Sequence, residues 1–438
     1  MKHVGFVSVL LCAVMAGVWL GCSPGPQAAE ESSGWRPMTP EQYAASLPKD
    51  VYPDSRGRLP LVRREDLDEE GKKAYDRLAS PNDTSLAGFA GPGGIGLHAS
   101  RNRSESGVDR RLQELARLVV SREMDQAFEW TVHEPEALRQ RLEPAIIDIV
   151  RYRKPLTGVP EKEASIIQLG RELFEKHKVS SETFARAYKQ LGARSLVDLC
   201  DFMGSYTNTA IKLHTVNAHL PRDRQSLLPP LGTQLPSNWS PMTPEAYAAS
   251  LPRDVHPDSR GRLPLPKRED LDEEGKKSYD SHMSPNDTSL AGIAGPGGIG
   301  LHGSRGENLR EATRVSRRLQ ELARLVVARE WDQAFEWTVH EPVALKEGLE
   351  PAIIDVVRHR KPLTGVPEKE ASIIQLGREI FGQHRVSSET FSRIYKQLGA
   401  RDLVDLCNLM GSYATTAIKL HTVDAHLPYD REPLLPVS

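Results

Sequence analysis

The densest group of residues able to move protons lies in the stretch RRLQELARLVVSREMDQAFEWTVHEPEAL, from Arg110 to Leu138. It returns as RRLQELARLVVAREWDQAFEWTVHEPVAL from Arg317 to Leu345. Glu129 and His133 stand four residues apart, as do Glu336 and His340, and on a helix that spacing puts both side chains on one face. A carboxylate beside an imidazole orients the ring and raises its basicity, which makes the smallest acid–base pair that works near neutral pH. Glu114 lies nineteen residues before His133, and Glu321 bears the same relation to His340. Each Glu meets its His only if the chain turns back between them. Asp125 suits the N-cap of a second helix after such a turn. Pro135 then either kinks that helix or begins a new one.

Other residues near this stretch have both a chemical and a plainer reading. Arg117, Arg122 and the second-copy Arg324 suit carboxylate recognition through their planar forks, although an arginine on a helix more often lies on a solvated face. Trp130 and Trp337 offer a flat surface to a substrate, against the commoner fate of a buried aromatic in the core. His98 and His302 sit in Gly-rich segments, where they close over a pocket or simply occupy a turn. His214 and His219, echoed by His421 and His426, are five apart. That spacing places them on different helical faces, so no metal site is expected. The Gly-rich run from Gly91 to Gly96 follows no expected strand and opens no clear helix, which argues against a phosphate-binding loop.

The elements that must hold these residues come in two copies. PMTPEQYAASLPKDVYPDSRGRLPL from Pro37 returns as PMTPEAYAASLPRDVHPDSRGRLPL from Pro241. EPAIIDIVRYRKPLTGVPEKEASIIQLGRE from Glu143 returns almost unchanged from Glu350. A domain-sized period present twice is a duplication rather than a solenoid. The repeats are read as residues 37–221 and 241–438, joined by a Pro-rich polar linker over 222–240. Each repeat opens with a Pro- and Gly-rich arm and continues as helices. Leu112, Leu115, Leu118 and Val119 recur at helical spacing. Pro144 and Pro160 open two further helices, Ser181 suits the cap of a short helix ending near Gly192, and a long helix runs from Leu196 toward Asn217. No alternating strand pattern occurs, so the expected fold is all-α, two helical lobes each preceded by a loop-rich arm.

Composition narrows the function classes. The chain has 438 residues and a net charge of −2, without the basic patch or stripe that a nucleic-acid partner requires. Its four cysteines are Cys12, Cys22, Cys200 and Cys407, one per repeat outside the N-terminal segment, so no disulfide forms within a repeat. The N-terminus begins with basic Lys2 and His3, continues apolar from Val4 to Leu20, and closes at Gly21-Cys22. That is the pattern of a secretory signal. Gly21-Cys22 resembles the lipobox of bacterial lipoproteins, which implies a signal peptide over 1–22, lipidation of Cys22, a flexible tether over 23–36 and a protein held to a membrane outside the cytoplasm.

The Glu–His stretch resembles the carboxymuconolactone decarboxylase family, which includes the alkylhydroperoxidase proteins. The likeness is carried by a Glu on one helix and a His on the next, followed by small and apolar residues, as in His133 with Ala137 and Leu138. Glu129-Trp130 and His133 are similar to the decarboxylase branch, and Leu97-His98, Leu301-His302 and PLTGVPEKEASIIQLGRELF resemble parts of extended relatives. The resemblance implies catalytic roles for Glu114, Glu129 and His133, and for Glu321, Glu336 and His340. It implies substrate contacts from Arg117, Trp130, His98, Arg324, Trp337 and His302, on a small carboxylated lactone or enol acid, with no cofactor. It also implies oligomers, so that a fused pair packs as a built-in pseudo-dimer. The peroxidase branch works through Cys-x-x-Cys, and those places hold Gln126 and Glu129, or Gln333 and Glu336. Without a thiolate there is no peroxidatic nucleophile, so peroxidase activity is disfavoured. A lyase or isomerase is the expectation, with a catalytically silent tethered binding or scaffold protein as the alternative.

Overall fold

The computed structural model describes residues 36–67, 69–78, 98, 106–271, 273–282, 299–303, 313–428 and 431–436. The expected signal, Cys22, the tether up to residue 35 and the Gly91–Gly96 run lie outside them. The first repeat forms α1 (Pro40–Ser46), α2 (Glu69–Leu78), α3 (Arg110–Glu123), α4 (Ala127–Arg139), α5 (Pro144–Arg151), α6 (Glu161–Lys176) and α7 (Ser181–Thr215). The second forms α8 (Pro244–Ser250), α9 (Glu273–His282), α10 (Ile299–His302), α11 (Arg317–Glu330), α12 (Ala334–Lys346), α13 (Pro351–Arg358), α14 (Glu368–Gln383) and α15 (Ser388–Thr422). Among the described residues there is no strand, only the isolated bridges Tyr52–Gly57 and His256–Gly261. The fold is all-α. No helix among the described residues is long and apolar enough to cross a membrane.

The turn that brings Glu114 back toward His133 is made differently from the expectation. Asp125 is not the cap of α4. It takes the left-handed conformation, with φ 49°, which a short polar side chain tolerates better than most. Gln126 caps the helix instead, its side-chain oxygen accepting from the Phe128 amide at 3.0 Å. Pro135 neither ends α4 nor starts a new helix. The fully buried Trp130 and Ala137 on either side of it hold the helix to the core through the proline, at the loss of one backbone bond to Thr131.

Pro144 is the first residue of α5 as expected, and Pro160 caps α6 ahead of Glu161 and Glu163. Ser180 rather than Ser181 caps α7, accepting from the Thr183 amide at 3.2 Å. The short and long helices expected around Gly192 are both present within α7, meeting at a kink where Gly192 adopts the non-helical φ 73° and ψ 169°. A residue with a β-carbon is strained there, and glycine is not.

The two repeats share one continuous apolar core. Helices α7 and α15 form the main contact between them, crossing where the chain has no side chain. A β-carbon on Gly204 would lie 2.6 Å from the Thr415 β-carbon, and one on Gly411 would lie 2.5 Å from that of Asn208. Trp331 of the second repeat packs edge-on against Phe174 of the first, with ring centroids 5.4 Å apart, and against His177 at 5.1 Å.

The arms cross over. Tyr43 in α1 donates its hydroxyl to the Leu427 carbonyl at 2.6 Å, and Arg58 donates its amide to the Val423 carbonyl at 2.7 Å. The second arm repeats this on the first repeat, with Tyr247 on Leu220 at 2.7 Å and Arg262 on Val216 at 2.8 Å. Each arm therefore straps down the end of the other repeat's long helix. The start of the expected linker is also anchored. The Leu227 amide donates to the Thr131 hydroxyl at 3.2 Å and Arg122 donates to the Pro229 carbonyl at 2.9 Å, an arrangement that Leu434 and Pro436 repeat at the end of the second copy.

Candidate active site

Helix α3 turns Leu112, Leu115, Leu118 and Val119 into the core, and Glu114 lies among them, 3% exposed. A carboxylate so placed must be paired, because an isolated buried charge is costly. Both of its oxygens are used. Oε1 accepts from Arg117 one helical turn on, and Oε2 lies 3.0 Å from His133 Nδ1 on α4. The second repeat matches: Arg324 donates to Glu321 Oε1, and His340 Nδ1 lies 2.9 Å from Glu321 Oε2.

Glu129 approaches the other side of the imidazole. Its Oε2 is 3.6 Å from His133 Nε2, beyond hydrogen-bond length, and this oxygen is buried with no hydrogen-bond partner among the described residues, as is Glu336 Oε2. Burial works to lower the His133 pKa, but the Glu114 hydrogen bond and the nearby Glu129 and Glu114 carboxylates outweigh it and raise the imidazole above its ordinary value. Burial pushes Glu336 up to about 8, against the lowering effect of Arg324 and Lys419. That shift favours the protonated carboxyl near neutral pH, the form that can donate a proton.

Two further residues enter this site that the sequence reading missed, both on α7 and repeated on α15. Tyr206 sets its ring edge-on to His133, with centroids 5.0 Å apart and planes at 86°, and Tyr413 stands to His340 in the same way at 4.9 Å. The guanidinium of Arg117 stacks 4.8 Å above the Tyr206 ring, and that of Arg324 5.0 Å above Tyr413. Lys212, six residues beyond Tyr206, interacts electrostatically with Glu129, and burial pushes its ammonium below the ordinary lysine value. Its counterpart Lys419 acts on Glu336 in the same way. The available signal was a lysine inside the apolar run AIKLHT, where buried neighbours on both sides make a solvated role costly.

The structure separates the expected substrate residues. Arg117 and Arg324 are at the site, each with one Nη bound to its Glu and with an Nε that is buried and has no acceptor among the described residues. Trp130 and Trp337 are placed in the core rather than beside the Glu–His contacts. Both are fully buried, and their indole nitrogens donate to Glu134 at 2.6 Å and Glu341 at 2.5 Å. Arg151 completes the first of these networks, paired with Glu134 and stacked 5.5 Å over the Trp130 ring. The indole is taken up by the core, with the Arg151 guanidinium from the end of α5 over its face. Arg122 serves the turn and the linker, bound to Asp125 and to the Pro229 carbonyl. His98 and His302 bond within their own arms, to the Pro60 carbonyl at 3.2 Å and the Pro264 carbonyl at 2.9 Å.

His214 and His421 are structural. Each ring places Nε2 2.7 Å from a carbonyl, that of Met124 or Trp331, and burial pushes each down to about 4. Among the described residues no group of three or more His, Cys, Asp or Glu is placed to hold a metal ion. Cys200 and Cys407 are buried free thiols, pushed by burial up to about 12 and about 11. Each donates to a threonine of the other repeat, Thr422 at 3.3 Å and Thr215 at 3.4 Å.

Comparison with protein-family models, curated proteins and solved structures finds no match for this chain. Its class therefore follows from the molecule itself: an all-α protein with two buried Glu–His–Glu centres, each sharing its surroundings with a stacked Arg–Tyr pair and a lysine.

Proposed function

We propose that each repeat is a carboxymuconolactone decarboxylase-like, thiol-free and cofactor-free acid–base centre, acting as a lyase or isomerase on a small carboxylated lactone or enol acid. The observation that carries this reading is the buried contact of Glu114 with His133 at 3.0 Å, repeated by Glu321 and His340 at 2.9 Å. Glu114 holds His133 by Nδ1 and leaves Nε2 to exchange a proton with substrate carbon, with Glu129 behind it as the second carboxylate. Arg117 and Arg324 keep an unfilled Nε donor for the substrate carboxylate. In this reading the two repeats form an intramolecular pseudo-dimer through α7 and α15. A peroxidase cycle is not proposed, because both thiols outside the N-terminal segment are held as protonated donors in the core.

The test is turnover of carboxylated lactones and enol acids in deuterated water, read by NMR as deuterium at carbon and as loss of carbon dioxide. The double variant Glu114→Gln plus Glu321→Gln is expected to lose about 100- to 10,000-fold in rate. Equal rates for both proteins sink the acid–base role. No turnover by the unaltered chain transfers the reading to a silent binding or scaffold protein.

We also propose that the chain is an exported lipoprotein, anchored through Cys22. Cells fed labelled palmitate are expected to label the chain, and Cys22→Ser to abolish the label. A labelled Cys22→Ser protein removes the anchor from this position.

A further inference from the structure

The two centres carry the same Glu, His, Arg, Tyr and Lys, yet one neighbouring position differs between the repeats. Lys419 Nζ makes an ion pair of 2.8 Å with Asp201, which α7 brings from the first repeat. The residue in α15 equivalent to Asp201 is Asn408, so the first-repeat lysine is offered an amide where its counterpart meets a carboxylate. Among the described residues Lys212 has no ion pair and no hydrogen bond. The groups that act on it are Glu129 and the Cys407 thiol, and that thiol is protonated.

A half-buried lysine without a counter-ion spends more of its time as the uncharged amine, which is the nucleophilic form. The charge of Glu129 acts on it, and Glu129 Oε2 is buried without a hydrogen-bond partner among the described residues and stands 3.6 Å from His133 Nε2. An amine, an unsatisfied carboxylate oxygen and an imidazole of raised pKa are the groups that imine formation requires. The unfilled Nε of Arg117, stacked on the Tyr206 ring that meets His133, adds a donor for an anion.

We propose that Lys212 is the nucleophile of an imine-forming site, present in the first repeat and not in the second, that takes a small 2-oxo acid. The amine lone pair attacks the carbonyl carbon, and the carbonyl oxygen takes a proton from the His133–Glu129 pair. The nitrogen gives up a proton to the same pair. The carbinolamine hydroxyl then leaves as water, taking a further proton, and the nitrogen lone pair closes the C=N bond. Amine, oxo acid and that proton, supplied by the same His133–Glu129 pair, become protonated imine and water, with no oxidant or reductant. In the second repeat Asp201 holds Lys419 as the ammonium, which has no lone pair to offer. This inference shares the Arg117 anion contact with the lactone reading but not its acid–base step on carbon, so each fails by its own measurement.

The experiment is reductive trapping of the full chain with pyruvate and sodium borohydride, mapped by peptide mass spectrometry. We expect one adduct per chain, on Lys212, formed faster than on surface lysines because more of its amine is uncharged. Lys212→Arg is expected to remove the adduct and leave the helical circular dichroism unchanged. Asp201→Asn is expected to add a second adduct, on Lys419. Equal labelling of Lys212 and Lys419 in the unaltered chain, labelling of Lys212 no faster than at the surface, or no new adduct in Asp201→Asn would each overturn the proposal.

Discussion

Arg58→Ala is expected to lower the stability of the chain by about 3–5 kcal/mol, the cost of breaking a buried charge network by removing one partner. The side chain is 4% exposed and touches both repeats. Its Nη1 donates to the Val179 carbonyl at 2.7 Å and Nη2 to the Ser181 hydroxyl at 3.3 Å, both at the start of α7. Its charge pairs with Asp50 at 2.7 Å in its own arm and with Asp424 at 3.2 Å beyond α15. Alanine leaves that carbonyl and both carboxylates short of a partner and opens the seat of the strap. Arg262 repeats the arrangement with Asp254 at 2.7 Å, the Val386 carbonyl at 2.9 Å and Ser388 at 3.2 Å. The double variant should therefore lose the clamp at both ends of the pseudo-symmetric pair. Lysine does not substitute, since a point charge cannot serve four partners set in a fork. Urea denaturation followed by circular dichroism reads the loss, and limited proteolysis within residues 40–60 reads the release of the arm. A loss below about 1 kcal/mol, the range of exposed ion pairs, would show that the arm rests on the surface without holding the repeats together.

The second large effect is on acid stability. His214 and His421 have ordinary values of 6.5 and are pushed down to about 4 by burial, each with its ring bonded to a backbone carbonyl. Around His214 stand His384 and Asp125, and around His421 stand His177, Asp332 and Asp424. Between pH 6.5 and about 4 the unfolded chain binds protons at these positions and the folded chain does not. Stability is therefore fully present above 6.5 and is lost as the pH falls through that window, by on the order of 1 kcal/mol per pH unit for each histidine. Glu336 acts in the opposite sense. Its folded value, raised to about 8 from 4.5, makes the folded chain bind a proton that the unfolded one releases, so its contribution grows as the pH falls toward 4.5. It offsets one histidine of the pair. The clean measurement is a difference in slope. Denaturation of the unaltered chain and of His214→Gln plus His421→Gln, between pH 7 and 4.5, should show a markedly flatter dependence in the variant, whose amides still reach the carbonyls. Parallel curves would mean that the two rings take up protons in the folded state.

The helices and their order were legible because their signals are local. Pro144 at a first turn, the apolar spacing from Leu112 to Val119 and the turn at Gly192 each act through bonds within a few residues. The Glu114–His133 and Glu321–His340 contacts were legible only as a condition on the intervening turn, and the left-handed Asp125 and the Gln126 cap supply that turn. Asp125 was misjudged as a cap because a cap and a left-handed turn favour the same short polar side chains. Trp130 beside a Glu and a His admitted two readings, and only the packing of the indole into the core, with Arg151 from the end of α5 over its face, chose between them.

The sequence by itself determined the duplication and the all-α class, consequences of near-identity between copies and of local spacing, and it named each Glu and His as a pair conditional on a turn between them. Only the tertiary structure decided what crosses between the copies. The crossing at Gly204 and Gly411, the thiols bonded to the opposite repeat's threonines, and the ion pair of Asp201 with Lys419 each join residues about two hundred positions apart, and the exchanged arms join the start of one repeat to the end of the other, pairings that periodicity and capping do not reach. For the same reason the difference between Asp201 and Asn408 is silent in the sequence. It acquires meaning when α7 and α15 pack together and leave one half-buried lysine with a carboxylate partner and the other without.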